Sequence, residues 1–220
     1  MDITYLGHSS FKLKVANATL VTDPYNKSVG FSFPRTSADI VTISHAHEDH
    51  NNKDAVNTTA RRDKPFIIDS PGEYEVGGTS VFGVPSFHDD QEGELRGPNT
   101  IFSILMEGIS VVHLGDLGHL LKQSQLSELN GVDVLLCPVG GHYTIDRKKV
   151  TELINQLEPS ILIPMHYKTP NHNQDTFKEV GTLEEFIKDF GTEPQTMEKL
   201  SVTKASLSED LQLVVLESQT

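Results

Sequence analysis

One cysteine and no tryptophan occur in 220 residues. A single thiol excludes an intramolecular disulfide framework and a thiolate-rich zinc site. Basic residues are also few. Eighteen Lys and Arg stand against 31 Asp and Glu, a formal net charge of −13, which argues against a broad basic surface for nucleic acid. No apolar run approaches the roughly 20 residues that a membrane helix needs. The start, Met1-Asp2-Ile3-Thr4-Tyr5, lacks the basic stretch and apolar run of a signal peptide. The expectation is a cytoplasmic protein with no membrane span. No repeat, low-complexity tract or linker interrupts the chain, whose length suits a single domain over 1–220 with a sizeable core.

Histidine, by contrast, is plentiful, at ten residues. Beside one Cys, this points to nitrogen and oxygen ligands for any metal. Strands are expected at 2–6, 11–15, 19–22, 40–44 and 65–69, with a short helix and loop across 51–62. A second β-rich stretch follows at 74–76, 79–85, 100–107 and 110–114. Its turns Gly77-Gly78 and Glu107-Gly108 predict antiparallel hairpins. From 123 onward helices (123–129, 147–156, 182–190) alternate with strands (132–138, 161–164), and strands at 201–203 and 211–216 finish the chain. Such interleaving predicts α/β layering. The acidic, Gly-containing segment 89–98 is the place to expect a mobile flap or a solvated connection.

The chemistry is concentrated directly after the buried strand 40–44, in His45-Ala46-His47-Glu48-Asp49-His50. On a regular helix, residues i and i+2 face apart, so His45 and His47 can share a metal only from a loop. Such a loop can also turn Asp49 and His50 toward a second point. Further candidate ligands stand at the ends of other predicted strands: His88, Asp116 and His166. Strand-to-loop handovers are where layered α/β scaffolds place functional groups.

His45-x-His47-x-Asp49-His50 followed by His88, Asp116 and His166 resembles the signature of the metallo-β-lactamase superfamily. Leu6-Gly7-His8-Ser9-Ser10-Phe11, Pro71-Gly72-Glu73-Tyr74-Glu75, Arg96-Gly97-Pro98-Asn99-Thr100 and Gly115-Asp116-Leu117-Gly118-His119 are similar to the branch that includes L-ascorbate-6-phosphate lactonase and related small metal-dependent hydrolases. The resemblance implies an α/β fold, a four-layer αββα sandwich, with two divalent ions at its edge. Zinc is the first expectation and manganese the second. His45, His47 and His88 would bind one ion, Asp49, His50 and His166 the other, and Asp116 would bridge them. Such a pair holds a bridging hydroxide that attacks a carbonyl or phosphoryl centre, with Asp49 and Asp116 in catalytic roles.

Around these ligands, His119 is a candidate general acid or a local hydrogen-bonding residue. His8 is a candidate for substrate contact or for support behind the ligands. Asp23 could hold a ligand imidazole in one tautomer or simply form a turn. Arg96 and Lys168 could meet a substrate anion, and His142 could line the pocket mouth. His172, between two Asn residues, reads as exposed, and Cys137 as an inert buried thiol. The expected activity is a binuclear metal-dependent hydrolase acting on a small ester, lactone or phosphoester, anionic substrates included. Alternatives are a phosphodiesterase for cyclic nucleotides, phospholipid headgroups or RNA, and a non-catalytic metal-binding protein. No nucleic-acid partner is expected, and a homo-oligomer is compatible with the resemblance.

Overall fold

The computed structural model describes residues 1–129 and 131–220. Short, largely buried segments build the first sheet. β1 (Asp2–Gly7), β2 (Ser10–Lys14) and β3 (Thr19–Thr22) form an antiparallel meander. β4 (Thr36–Ala38) lies outside this sheet, while β5 (Ile40–Thr42) joins β3 in parallel. β6 (Val56–Thr58) pairs with β4, and β7 (Phe66–Ile68) extends the sheet beyond β5.

The second sheet begins with four antiparallel strands, β8 (Gly72–Val76), β9 (Thr79–Phe87), β10 (Pro98–Met106) and β11 (Ile109–His113). Both expected hairpin turns are there. Gly77 and Gly78 have φ of 61° and 79°, and Glu107 and Gly108 of 48° and 77°, the left-handed values that two-residue hairpins require. The sheet then continues in parallel through β12 (Val134–Pro138) and β13 (Ile161–Met165). β14 (Gln195–Met197) forms its far edge, β15 (Leu200–Ser201) returns to pair with β1, and β16 (Gln212–Leu216) fills the place between β13 and β14. β12 and β13 are buried along their whole length, the continuous apolar pattern of central parallel strands.

Among the described residues the three α-helices, α1 (Gln123–Glu128), α2 (Arg147–Leu157) and α3 (Leu183–Phe190), all lie on connections of this eight-stranded sheet. The mixed α/β class holds, with its α-helices on one sheet's connections. The helix expected within 51–62 is replaced by a 3-10 turn at Lys53–Ala55 and by β6. Val56 is the one fully buried residue of that segment, so no apolar stripe exists to hold a helix down, and backbone pairing with β4 prevails. β14 escaped the sequence pattern because none of its three residues is fully buried.

A shared core joins the sheets, with Tyr5, Phe11 and Leu13 from the first and Ile101, Ile104 and Val111 from the second. α2 adds Val150, Leu153, Ile154 and Leu157, the i, i+3, i+4, i+7 stripe of an amphipathic helix. No helix among the described residues is long and apolar enough to cross a membrane.

The strand directions place the chemistry. β1, β3 and β5 run one way in the first sheet, and β9, β11 and β13 run one way in the second. Each of these six hands over at its C-terminal end to a segment carrying His8, Asp23, residues 45–50, His88, Asp116 or His166. The sheets are clasped there by backbone bonds from Thr100 N–H to Ser44 O (2.8 Å) and from His166 N–H to His8 O (2.9 Å). Leu153, fully buried in the core, tests the packing that carries this arrangement. Leu153→Ala should lower the unfolding free energy by about 2–5 kcal/mol, read as a reduced urea midpoint with an unchanged m-value.

Candidate metal centre

Every ligand candidate from the sequence converges. Potential ligand atoms of His45, His47 and His88 lie within 4.8 Å of one another, as do those of His8, Asp49, His50 and His166. Asp116 stands between the groups. Its Oδ2 lies 3.2 Å from His88 Nε2, 3.2 Å from His166 Nε2, 3.4 Å from His50 Nε2 and 3.9 Å from His45 Nε2. Asp116 Oδ1 and His45 Nε2 are buried without any hydrogen-bond partner. Buried lone-pair atoms left unsatisfied in one cluster are what a cation site presents before its ion is counted.

The tautomers are set from behind by Asp23, which is fully buried. Its Oδ1 accepts from Ser44 N–H (2.8 Å), and its Oδ2 accepts from Ser44 Oγ–H (2.5 Å) and His50 Nδ1–H (2.9 Å). With its one proton on Nδ1, neutral His50 turns an Nε2 lone pair toward Asp116. Ser44 Oγ, having given its proton to Asp23, accepts from His45 Nδ1–H at 2.9 Å, so His45 also presents an Nε2 lone pair. One carboxylate thus sets two imidazoles, the second through a serine. Although Asp23, His45 and His50 also form a tight group, the oxygens of Asp23 already accept from these protein donors. Ser44 in this role gave no signal in the sequence, since a Ser at a strand end is unremarkable.

Electrostatics agree with a ligand set. Burial lowers the pKa of His45 to about 3 and of His8 to about 4, and burial followed by His88 lowers His47. Burial alone would raise Asp116, but His166 and His50 hold it well below the carboxylate range. Asp49 is likewise held low, against burial, by His50 and His8. His50 moves the other way: against its own burial, Asp116 and Asp49 raise it well above the ordinary value. A proton and a cation therefore compete for its Nε2.

Backbone constraints aim the ligands. Gly115 has φ 57°, and a Cβ there would lie 2.3 Å from Asn99 Oδ1 and 2.6 Å from Ser44 Cβ. Asn99, itself buried, anchors the turn by donating from Nδ2 to Leu114 O (3.0 Å) and Ser86 Oγ (2.7 Å) while Oδ1 accepts from Asp116 N–H (3.0 Å). His8, Asp23 and His166 take left-handed φ of 55°, 36° and 51°, a strained choice for non-glycine residues that clusters at functional sites.

A cavity of about 340 Å³ opens on the cluster, walled by His47, Asp49, His88, Asp116, His166 and residues of three loops including Arg96, Tyr143 and Phe177. A wider one of about 550 Å³ adjoins it, sharing His88 and Arg96 and reaching His142. The Arg96 guanidinium stands 5.8 Å from the Tyr143 ring centroid and pairs with no carboxylate among the described residues. His142 is exposed at the wider mouth, and Lys168 lines a separate cavity. His8 is buried behind the cluster, with Nε2 3.5 Å from Asp49 Oδ2. His119 has both ring nitrogens on backbone groups, Nδ1 donating to Leu120 O (2.7 Å) and Nε2 accepting from Phe87 N–H (3.2 Å).

One expectation about the site needs correction, and the two readings of 89–98 are resolved. His172 is 3% exposed, because the segment around it folds against the 27–33 loop. Asn173 N–H donates to Val29 O (2.8 Å), and a Cβ on Gly30 would strike the backbone of 171–173. The 89–98 segment is no loose flap, since buried Asp89 accepts from the backbone N–H of Gln91, Gly93, Leu95 and Arg96 at 2.8–3.0 Å.

With this geometry in view, the relatives are consistent. A family model described as the beta-lactamase superfamily domain matches residues 2–166. A UPF0173 metal-dependent hydrolase of Archaeoglobus fulgidus is 29% identical over 196 residues, covering 77% of this chain and 84% of that protein. A crystal structure from Thermotoga maritima, described as a Zn-dependent hydrolase of the metallo-β-lactamase superfamily, matches with TM-score 0.79 and 36% identity over 99% of both chains. Igni18, a metallo hydrolase from Ignicoccus hospitalis, shares the fold at TM-score 0.67 and 23% identity, over 92% of this chain and 99% of that one. The chain belongs to the metallo-β-lactamase superfamily. Within it, the protein is a hydrolase.

Asp89 yields a test of the loop that carries Arg96. Burial would raise its pKa, but four backbone donors hold it below the ordinary value. A depressed folded-state pKa stabilises above the unfolded value near 3.9 and ceases to do so as pH falls through the folded one. Asp89→Ala should speed amide hydrogen exchange at Gln91, Gly93, Leu95 and Arg96 about 10- to 100-fold at neutral pH. In the unsubstituted protein their protection should persist at pH 5 and fall only as the carboxyl protonates.

Proposed function

We propose that the protein is a binuclear metal-dependent hydrolase of small, anionic esters, lactones or phosphoesters. The observation that carries this reading is the convergence of four imidazole Nε2 atoms on the Asp116 carboxylate, with His45 Nε2 and Asp116 Oδ1 left without protein partners. His45, His47 and His88 would hold one ion and Asp49, His50 and His166 the other, with Asp116 between them. Imidazole with carboxylate suits zinc and also admits manganese. When bound, such a pair acidifies water toward neutral pH and polarises the scissile carbonyl or phosphoryl group.

The chain's own residues supply the rest. Asp49 is partly exposed and held ionised by His50 and His8. It serves as the acceptor that orients the attacking water, takes one of its protons and returns it to the leaving oxygen as the acyl or phosphoryl bond breaks. One water is consumed and no other reactant is needed. Arg96, without a carboxylate partner and shared by both cavities, receives a carboxylate or phosphate of the substrate. Tyr143 and Phe177 wall the smaller cavity and limit its width. His142 meets larger substrates at the outer mouth. His119 is left holding the loop ends, since neither ring nitrogen is free to act on a leaving group.

Elemental analysis of protein reconstituted with zinc or manganese should give about two ions per chain. His88→Ala and His166→Ala should each lose one, and Asp116→Ala should weaken both. Retention of both ions in His88→Ala would remove that residue from the first set. Asp23→Ala, which frees the tautomers of His50 and His45, should weaken metal binding about 10- to 100-fold. Turnover is to be measured on bis(p-nitrophenyl) phosphate, a lactone panel and thioesters. If neither metal gives a rate above that of Asp116→Ala, the hydrolytic reading falls and a non-catalytic metal site replaces it. Arg96→Ala should raise KM about 10-fold or more for anionic substrates and leave neutral ones nearly unchanged.

A further inference from the structure

An exposed apolar side chain stands at the mouth of the centre. Among the described residues four large apolar side chains are exposed, and Leu95, at 64%, is the most exposed of them. It alone of the four lines the cavity of about 340 Å³ over the metal cluster. A scattered surface leucine needs no explanation, but the backbone of this one is fixed. A single oxygen, Asp89 Oδ2, accepts from both Leu95 N–H (3.0 Å) and Arg96 N–H (2.8 Å), and Gly97 N–H donates to Gly93 O at 2.9 Å. The same cavity is walled by Tyr143, whose Oη–H donates to Thr176 O at 2.8 Å, and by the buried Phe177. None of Leu95, Tyr143 and Phe177 lines the wider cavity, whose walls carry the charges of Arg147, Lys149, Glu185 and Asp189. Arg96 borders both. The apolar surface near the centre is therefore confined to one compartment, with one cation at its edge.

We infer that this compartment selects amphiphilic substrates, with a short alkyl or aryl arm against Leu95, Tyr143 and Phe177 and an anionic group on Arg96. The inference rests on the hydrolytic function proposed above and narrows its substrate class. An alkyl arm gains by covering the exposed Leu95 and the Tyr143 ring. A polyhydroxylated sugar arm in the same place would give up its water for walls with few hydrogen-bonding groups, which is unfavourable. The Arg96 guanidinium, 5.8 Å from the Tyr143 ring centroid, is steadied by the ring and keeps its N–H groups for an anion. At about 30 Å³ for each water-sized unit, the cavity holds about eleven such units, enough for a phosphoryl group and an arm of about six carbons. Leu95 is then a specificity-determining residue, placed by Asp89 before any substrate arrives.

The test uses the zinc-loaded full chain with p-nitrophenyl methyl, butyl and hexyl phosphate, which share one charge and one leaving group. The p-nitrophenyl diester of glucose 6-phosphate supplies a polyhydroxylated arm. Calorimetric binding of methyl- and hexylphosphonate makes the same comparison without turnover. Each buried methylene should gain about 2- to 4-fold. From methyl to hexyl, kcat/KM should therefore rise about 10-fold or more, mainly through KM, and hexylphosphonate should bind tighter than methylphosphonate by a similar factor. The glucose diester should do no better than the methyl one. Leu95→Ser, at a position too exposed for folding to depend on the side chain, should lower the hexyl-to-methyl ratio about 3-fold or more in both measurements. Equal affinity for the two phosphonates, a preference for the glucose diester, or an unchanged ratio in Leu95→Ser overturns the inference. Turnover of the diesters without any dependence on chain length leaves the hydrolytic reading standing and removes this one. Phosphonate binding that tightens with chain length, with no turnover of any substrate, does the reverse.

Discussion

The centre depends on one buried carboxylate. Asp23 sits at the end of β3 and accepts three hydrogen bonds, two from Ser44 and one from His50. Through these it ties the strand end of β5 to that of β3. It also decides where the protons of His50 and His45 reside. An ionised group this deep is tolerated only because its lone pairs are met by donors. The same donors then become part of the device, since a neutral imidazole that gives Asp23 or Ser44 a proton on one side offers a lone pair on the other.

Asp116 is the counterpart from the second sheet. It enters on a tight turn that Gly115 makes possible and Asn99 holds, and it faces imidazoles from both sheets at 3.2–3.9 Å. The clasp bonds Thr100 to Ser44 and His166 to His8 keep the strand ends in register, so the distance between Asp116 and the first-sheet imidazoles is a property of sheet packing. Apolar burial across the sheets therefore carries the geometry of a polar site. His172 and Asp89 extend this from loops: one stands beside His8, and the other ties down the segment that brings Arg96 to the cavity.

Much of this was legible in the chain. The spacing in residues 45–50 excluded a helical ligand pair, and His88, Asp116 and His166 stood at predicted strand ends, where the structure has them. The hairpins of the second sheet followed from Gly77-Gly78 and Glu107-Gly108, because left-handed turns leave a local residue signature. The segment 51–62 misled because its composition resembles a short helix, while a distant strand, β4, pairs with it. His172 misled for a related reason. Two flanking Asn residues suggest solvent, yet its burial comes from the 27–33 loop, about 140 positions away in the chain. For His119 the sequence leaves a general acid and a local hydrogen-bonding residue open, and the folded loop puts both its nitrogens on backbone groups.

Residue types and their order by themselves determined the candidate ligand inventory, the α/β class and the resemblance to the family, because donor chemistry and strand-end spacing are local properties that survive in one dimension. Which nitrogen of each histidine faces inward, which acid serves as support and which as a ligand candidate, and which loops are held in place were decided only by tertiary structure. Those properties depend on hydrogen bonds between segments far apart in sequence. A proton on an imidazole can be placed only once the atom opposite it is known.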